Sequence, residues 1–251
     1  MKSILSTLAL AALTVMAASQ AQAYQIFSGI DGNGASSVLT STPNSTAAEA
    51  RFKSNLIKVG TATFESIKAG SVAPQDLTFT GAGKATLTGG SGRVLATDGS
   101  TINAGRYSMP GDLNYWDVAA GLNATFTITF TANIAAFGFY GIDIGDYDGT
   151  LSLDFLSDGL VIFTMAVPTA ARDFANGSVL YFGAIASSDN EIFNSVRFMS
   201  TSGTSDFFGF DSFTIGTKAQ VNAPGQVPEP TTLALVGAAL LGLGAASRRR
   251  A

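Results

Sequence analysis

Ala124-Thr125-Phe126-Thr127-Ile128-Thr129-Phe130-Thr131 decides the fold. Phe126, Ile128 and Phe130 fall on one side of an extended chain and the four threonines on the other, which is the period-2 pattern of a strand with one buried face. Working outward, short apolar runs recur downstream at 136–144, 151–155, 160–167, 179–186, 195–200 and 207–215, and upstream at 61–67, 77–80, 84–88 and 93–97. Gly, Asp and Asn punctuate them. Short strands with turn residues between them predict an all-β domain, an antiparallel β-sandwich with jelly-roll-like topology, over residues 61–217.

Before that domain, residues 24–60 read as an extended arm and one short helix. Thr46 and Glu49 make a capping-box pattern, Phe52, Leu56 and Val59 follow at helical spacing, and Glu49 precedes Lys53 by four. Residues 218–226, with Pro224 and Gly225, read as a linker.

Composition narrows the chemistry. The 251 residues include no Cys and no His, which removes disulfides, thiolate nucleophiles, Ser-His-Asp triads and His-ligated metals. Lys2, Arg248, Arg249 and Arg250 lie at the ends. Setting these and Glu229 aside leaves 10 basic against 17 acidic residues. Between Arg106 and Arg172 there is no Lys or Arg, yet seven Asp. A nucleic-acid partner needs a basic face and is not expected.

The ends carry addresses. Lys2, the apolar run 4–18, and Ala21 and Ala23 at the −3 and −1 positions make a secretory signal peptide over 1–23, so signal peptidase is an expected partner and Tyr24 the first mature residue. At the other end, Val227-Pro228-Glu229-Pro230 precedes an uncharged run at 231–246 and then Arg248-Arg249-Arg250. Sixteen residues of helix reach about 24 Å, a short transmembrane span, and the arginines resist translocation and hold the cytoplasmic side.

This three-part tail, residues 227–251, resembles the PEP-CTERM sorting signal of Gram-negative bacteria. The resemblance implies recognition of the Pro-Glu-Pro segment by an exosortase, transient anchoring in the inner membrane, and a place at the cell surface or in the extracellular matrix, often with exopolysaccharide and biofilm. The phrases Ala136-Phe-Gly-Phe-Tyr-Gly-Ile-Asp-Ile-Gly-Asp-Tyr-Asp-Gly149, Tyr181-Phe-Gly183 and Phe208-Gly-Phe-Asp211 resemble the β-rich domain found ahead of such tails. That implies a β-sandwich similar in shape to carbohydrate-binding modules.

Three clusters are candidate sites. Asp143, Asp146 and Asp148 supply hard oxygen ligands in a Gly-containing loop, as Ca²⁺ prefers, although the spacing is not an EF-hand; the same residues also suit a solvated turn. Glu65 and Asp211, in the first and last strands, are a second pair for a structural Ca²⁺ by analogy with jelly-roll modules, or simply exposed edge carboxylates. Tyr107, Tyr115, Trp116 and Asp117 combine aromatic faces with polar neighbours, as a sugar site does, or are core. Catalysis is not expected: a glycosidase needs two facing carboxylates, and no motif selects a pair among Glu65, Glu191 and the aspartates. The expected function is therefore binding or structural, with a carboxylate-dependent polysaccharide-active enzyme as the alternative.

Overall fold

The computed structural model describes residues 24–97, 105–120, 125–201 and 206–222. The signal residues Ala21 and Ala23, the sorting motif 227–230 and the arginines 248–250 lie outside the described residues. Among those described, no helix is long and apolar enough to cross a membrane.

Thirteen strands among the described residues form two antiparallel sheets. The strands are β1 (Gln25–Asp31), β2 (Gly60–Ala62), β3 (Gln75–Phe79), β4 (Gly83–Gly89), β5 (Arg93–Ala96), β6 (Asn114–Ala119), β7 (Phe126–Ile134), β8 (Ala136–Ile142), β9 (Thr150–Ser157), β10 (Leu160–Ala166), β11 (Val179–Ile185), β12 (Phe193–Thr201) and β13 (Phe207–Gly216). One sheet runs β1-β11-β8-β13-β6-β5, with β2 also on β13; the other runs β10-β9-β12-β7-β4-β3. From β7 onward the chain passes repeatedly from one sheet to the other, so the predicted sandwich is the observed one.

The founding pattern in β7 does what its period requires. Phe126, Ile128 and Phe130 are buried, while Thr125, Thr129 and Thr131 are exposed. Between the sheets, Phe198 stacks on Phe126 with centroids 4.4 Å apart and meets Phe139 and Phe210 edge-on at 5.1 and 5.2 Å. Such offset and edge contacts are the favoured arrangements of aromatic rings. β8 and β11 are buried at every residue, because their second face is covered too.

That cover is α1 (Pro43–Ser54). Phe52 and Ala48 pack with Phe27, Tyr140, Ile142, Tyr181 and Ile185 in a second core on the outward side of the seven-stranded sheet. Glu49 pairs with Lys53 at 2.6 Å as its spacing predicts, and also accepts the Tyr140 hydroxyl at 2.8 Å. The predicted capping box is not what starts the helix. Pro43 opens it, and the carboxylate of Asp31 accepts the Asn44 and Ser45 N–H groups at 3.0 and 2.8 Å. A cap borrowed from the end of β1 moves the helix start three residues upstream of the local signal.

Three local expectations change. Residues 25–31 are not an arm but the edge strand β1, paired along β11 from Gln25↔Ile185 to Asp31↔Val179. The run at 61–67 gives only the short β2. The aromatic stretch around Tyr115 is itself a strand, β6.

Both ends of the described chain emerge at one end of the sandwich. The Tyr24 hydroxyl donates to the Glu191 carbonyl, and Val221 lines a cleft of about 260 Å³ together with Asp189 and Ile192. The loop 143–149 and Asp206 lie at the opposite end, where β8 and β12 finish and β9 and β13 begin.

Candidate functional site

The six-stranded sheet turns one face to the core, and among the described residues no helix packs on the other. On that outer face, pairing lines side chains up in rungs across the strands. One rung runs Asp76–Thr86–Thr129–Ser195–Leu156–Val161, another Thr88–Thr127–Arg197–Asp154–Thr164. Thr88, Thr129 and Thr164 are exposed. Hydroxyls link neighbouring strands: Thr86 Oγ1 donates to Asp76 at 3.1 Å, and Thr131 Oγ1 to the Lys84 carbonyl at 3.1 Å. Arg197 lies over Asp154, which also accepts the Thr164 hydroxyl at 2.6 Å. Asp154 is buried beneath these partners, so the ion pair is structural. Thr78, Thr88, Thr129 and Thr131 are exposed on the β3–β4–β7 part of this face beside Asp76 and Lys84, whereas Leu156 and exposed Val161 make its β9–β10 part more apolar.

The predicted sugar cluster is elsewhere and inside. Tyr107, Tyr115 and Trp116 are at most 1% exposed, and Asp117 is 3% exposed. No ring face is open for a sugar to stack on, so these residues are corrected to core. The reason is register. β6 lies between β5 and β13, which puts Trp116 into the main core against Phe64 and Phe126. Tyr107 serves the second core, donating to the Gly177 carbonyl at 2.8 Å while accepting the Leu39 N–H at 3.2 Å. Asp117 forms a buried pair with Arg106, whose guanidinium sits 4.6 Å from the Phe207 ring centroid. Burial raises the Asp117 carboxyl above the ordinary range, and Arg106 opposes that shift.

Glu65 and Asp211 do not form the predicted calcium pair. Glu65 Oε1 accepts the Leu113 and Asn114 N–H groups at 2.8 and 2.7 Å. Asp211 is fully buried, accepting Met109 N–H at 3.1 Å and Ser212 N–H at 2.6 Å on its two oxygens. Backbone donors thus engage both oxygens of Asp211 and one oxygen of Glu65. Burial pushes the Asp211 carboxyl up to about 8, and the nearby Asp112 and Glu65 charges add to that shift. Asp112 is raised as well, by burial and then by Glu65.

The three aspartates of the 143–149 loop separate. Asp148 is exposed and pairs with Arg172 at 3.0 Å. Asp143 is buried, with a left-handed φ of 62°, and accepts the Gly177 N–H at 2.8 Å. Its second oxygen lies 4.0 Å from Arg106. Burial is the main cause that lifts its carboxyl to about 7, and the Asp146 and Asp206 charges contribute. Asp146 instead faces Asp206, a residue no local motif selects because 60 positions separate the two. Burial holds both carboxyls above the ordinary range, reinforced for Asp206 by the Asp146 charge. Among the described residues, no three carboxylates converge as a metal centre. The predicted trio Asp143, Asp146 and Asp148 is corrected accordingly: left-handed turns at Asp143 and Asp148 send their side chains to Gly177 and Arg172.

Glu191, the other carboxylate weighed for catalysis, accepts the Ser187 N–H at 2.6 Å and shapes its own loop.

Among solved structures, the K2 cleaved adhesin domain of Lys-gingipain is similar at 12% identity and TM-score 0.41, covering 63% of this chain and 99% of that domain. TmCBM61, solved in complex with β-1,4-galactotriose, is similar at 12% identity and TM-score 0.30, with 62% and 94% covered. The family 11 carbohydrate-binding module from Clostridium thermocellum is similar at 9% identity and TM-score 0.30, with 64% and 96% covered. No curated protein matches the chain. Residues 226–250 match the PEP-CTERM protein-sorting motif. The chain thus carries a PEP-CTERM sorting tail, and the motif implies an exported product processed by an exosortase.

Proposed function

We propose that this protein is a non-catalytic cell-surface or matrix component that binds exopolysaccharide through the outer, threonine-bearing face of its six-stranded sheet. The observation that carries this reading is the contrast between the two sheets. The outer side of one is buried under α1, whereas among the described residues no helix packs on the outer side of the other, which exposes Thr78, Thr88, Thr129 and Thr131 across β3, β4 and β7. Hydroxyls that both donate and accept suit an uncharged polysaccharide, and a flat array matches a repeating polymer better than a pocket does. The acidic balance of the chain fits a neutral partner better than an anionic one.

Export supplies the setting. Signal peptidase releases Tyr24, residues 231–246 span the inner membrane for a time, Arg248, Arg249 and Arg250 stay in the cytoplasm, and cleavage near Pro228-Glu229-Pro230 frees the domain to the surface. The test of the binding claim is retention of the exported protein on glycans from the host's own exopolysaccharide. Retention without change in polymer length supports a binder. Shortening of the polymer by wild type, abolished in Glu65→Gln or Glu191→Gln, points to the enzyme instead.

A further inference from the structure

The loop end of the sandwich holds an electrostatic problem that its own residues leave open. Asp117, Asp143 and Asp146 share the influence of one guanidinium, that of Arg106, and Asp206 faces Asp146. Asp117 and Asp143 have partners: Arg106 for the first, the Gly177 N–H for the second. Asp146 and Asp206 do not share them fully. Asp206 is only 2% exposed; one of its oxygens accepts the Phe207 N–H at 2.7 Å, and the other, Oδ2, is buried without a partner. The oxygen Oδ1 of Asp146 is buried without a partner as well. The two side chains, 60 residues apart in sequence, lie within hydrogen-bond reach of each other, and with both ionised neither of these buried oxygens has a donor, which is costly.

The packing around them is shaped for that approach. A Cβ at Gly149 would lie 2.5 Å from Asp206 Oδ2 and 2.7 Å from the Phe208 ring, so only glycine lets the loop close over the carboxylate. A Cβ at Gly105 would lie 2.5 Å from Asp143 Oδ1. Asp148, by contrast, turns outward to Arg172 and takes no part.

We propose that Asp146 and Asp206 together bind a divalent cation, Ca²⁺ by its preference for carboxylate, carbonyl and water oxygens. The ion joins the β8–β9 loop to the start of β13, so it ties the end of one sheet crossover to another and stabilises a domain with no Cys for disulfides. Two carboxylates make a low charge count. Affinity therefore belongs to the weak extracellular range, on the order of 10⁻⁴–10⁻³ M.

Thermal unfolding of the exported protein with CaCl₂ or with EDTA tests this. At about tenfold excess over Kd, the wild-type melting temperature rises by roughly 3–6 °C. Asp206→Asn and Asp146→Asn lose that rise, whereas Asp148→Asn and Glu65→Gln keep it. Because a core variant can fail to fold, Tb³⁺ luminescence excited through the adjacent Tyr147 provides a second reading on wild type, displaced by Ca²⁺. The inference is overturned by equal melts in Ca²⁺ and EDTA, by a Ca²⁺ effect that survives both Asn variants, or by Tb³⁺ emission that only Asp148→Asn removes. A wild type stabilised by acid alone, with no Ca²⁺ response, also overturns it: the pair then holds a proton. Loss of this site leaves the polysaccharide reading intact, since the sheet face lies apart from it.

Discussion

Asp211 sits fully buried at the bulge of β13, where Ser212 takes a φ of 50° and the pairing to β8 shifts register. Two backbone N–H groups satisfy its oxygens, but desolvation dominates and lifts its carboxyl to about 8 from an ordinary 3.8. The sign follows from linkage. A folded-state value above the unfolded one favours the fold at low pH, in full below about 4, and this contribution fades as pH rises through about 8. The melting temperature in EDTA is therefore expected to fall between pH 6 and pH 9, and Asp211→Asn flattens that decline. An unchanged slope in the variant contradicts the assignment. Sequence alone marked Asp211 but gave it the wrong task. Nothing in Phe210-Asp211-Ser212 discloses that Met109, about a hundred residues upstream, points its N–H at the carboxylate. Asp206 was missed for the same reason, since its partner Asp146 belongs to another loop.

At the scale of elements, α1 is held by its docking more than by its own sequence. Phe52 is fully buried and meets Phe27 and Tyr181 with centroids 5.8 Å away in each case. Truncation to alanine is expected to cost roughly 3–5 kcal/mol in urea unfolding. Gly183 is the matching site on β11, because a Cβ there would lie 2.6 Å from the Phe52 ring. Gly183→Ala is thus expected to destabilise too, by helix displacement; a loss below about 0.5 kcal/mol, typical of surface changes, contradicts the packing. The sheet was legible where only one face is buried. Thr127, Thr129 and Thr131 alternate with phenylalanine and isoleucine because water meets one side of β7. β1 hid its identity behind Ser28 and Gly29. Gly29 is needed there because α1 crosses so closely that a Cβ would lie 2.1 Å from the Asn44 carbonyl oxygen. The start of α1 was misplaced because its capping carboxylate, Asp31, comes from that unrecognised strand.

In the whole molecule, Tyr24 and Val221 emerge at one end of the sandwich, and the Asp146–Asp206 pair lies at the other. The sequence continues from the first of these ends to the sorting motif at 226–250. Replacing Glu229, or deleting Arg248, Arg249 and Arg250, is expected to leave a protein of higher mass in the membrane fraction. The same unprocessed species is expected for wild type in a strain without exosortase; a normal processed mass in that strain contradicts the sorting route.

The outer face of the six-stranded sheet is where a polysaccharide would be held, and a binding comparison at its threonines checks this. Thr88 and Thr129 are exposed on its two hydroxyl rungs, away from the core and from the acidic loop end. Wild type and the double variant Thr88→Lys, Thr129→Lys are compared for co-sedimentation with the host's exopolysaccharide, with melting curves to confirm that both are folded. Surface changes of this kind alter stability by less than about 0.5 kcal/mol each, so the two should melt alike. The expected result is that wild type sediments with the polymer and the folded double variant stays in the supernatant. Equal sedimentation of both, or of neither, contradicts a polysaccharide-binding role for the six-stranded sheet.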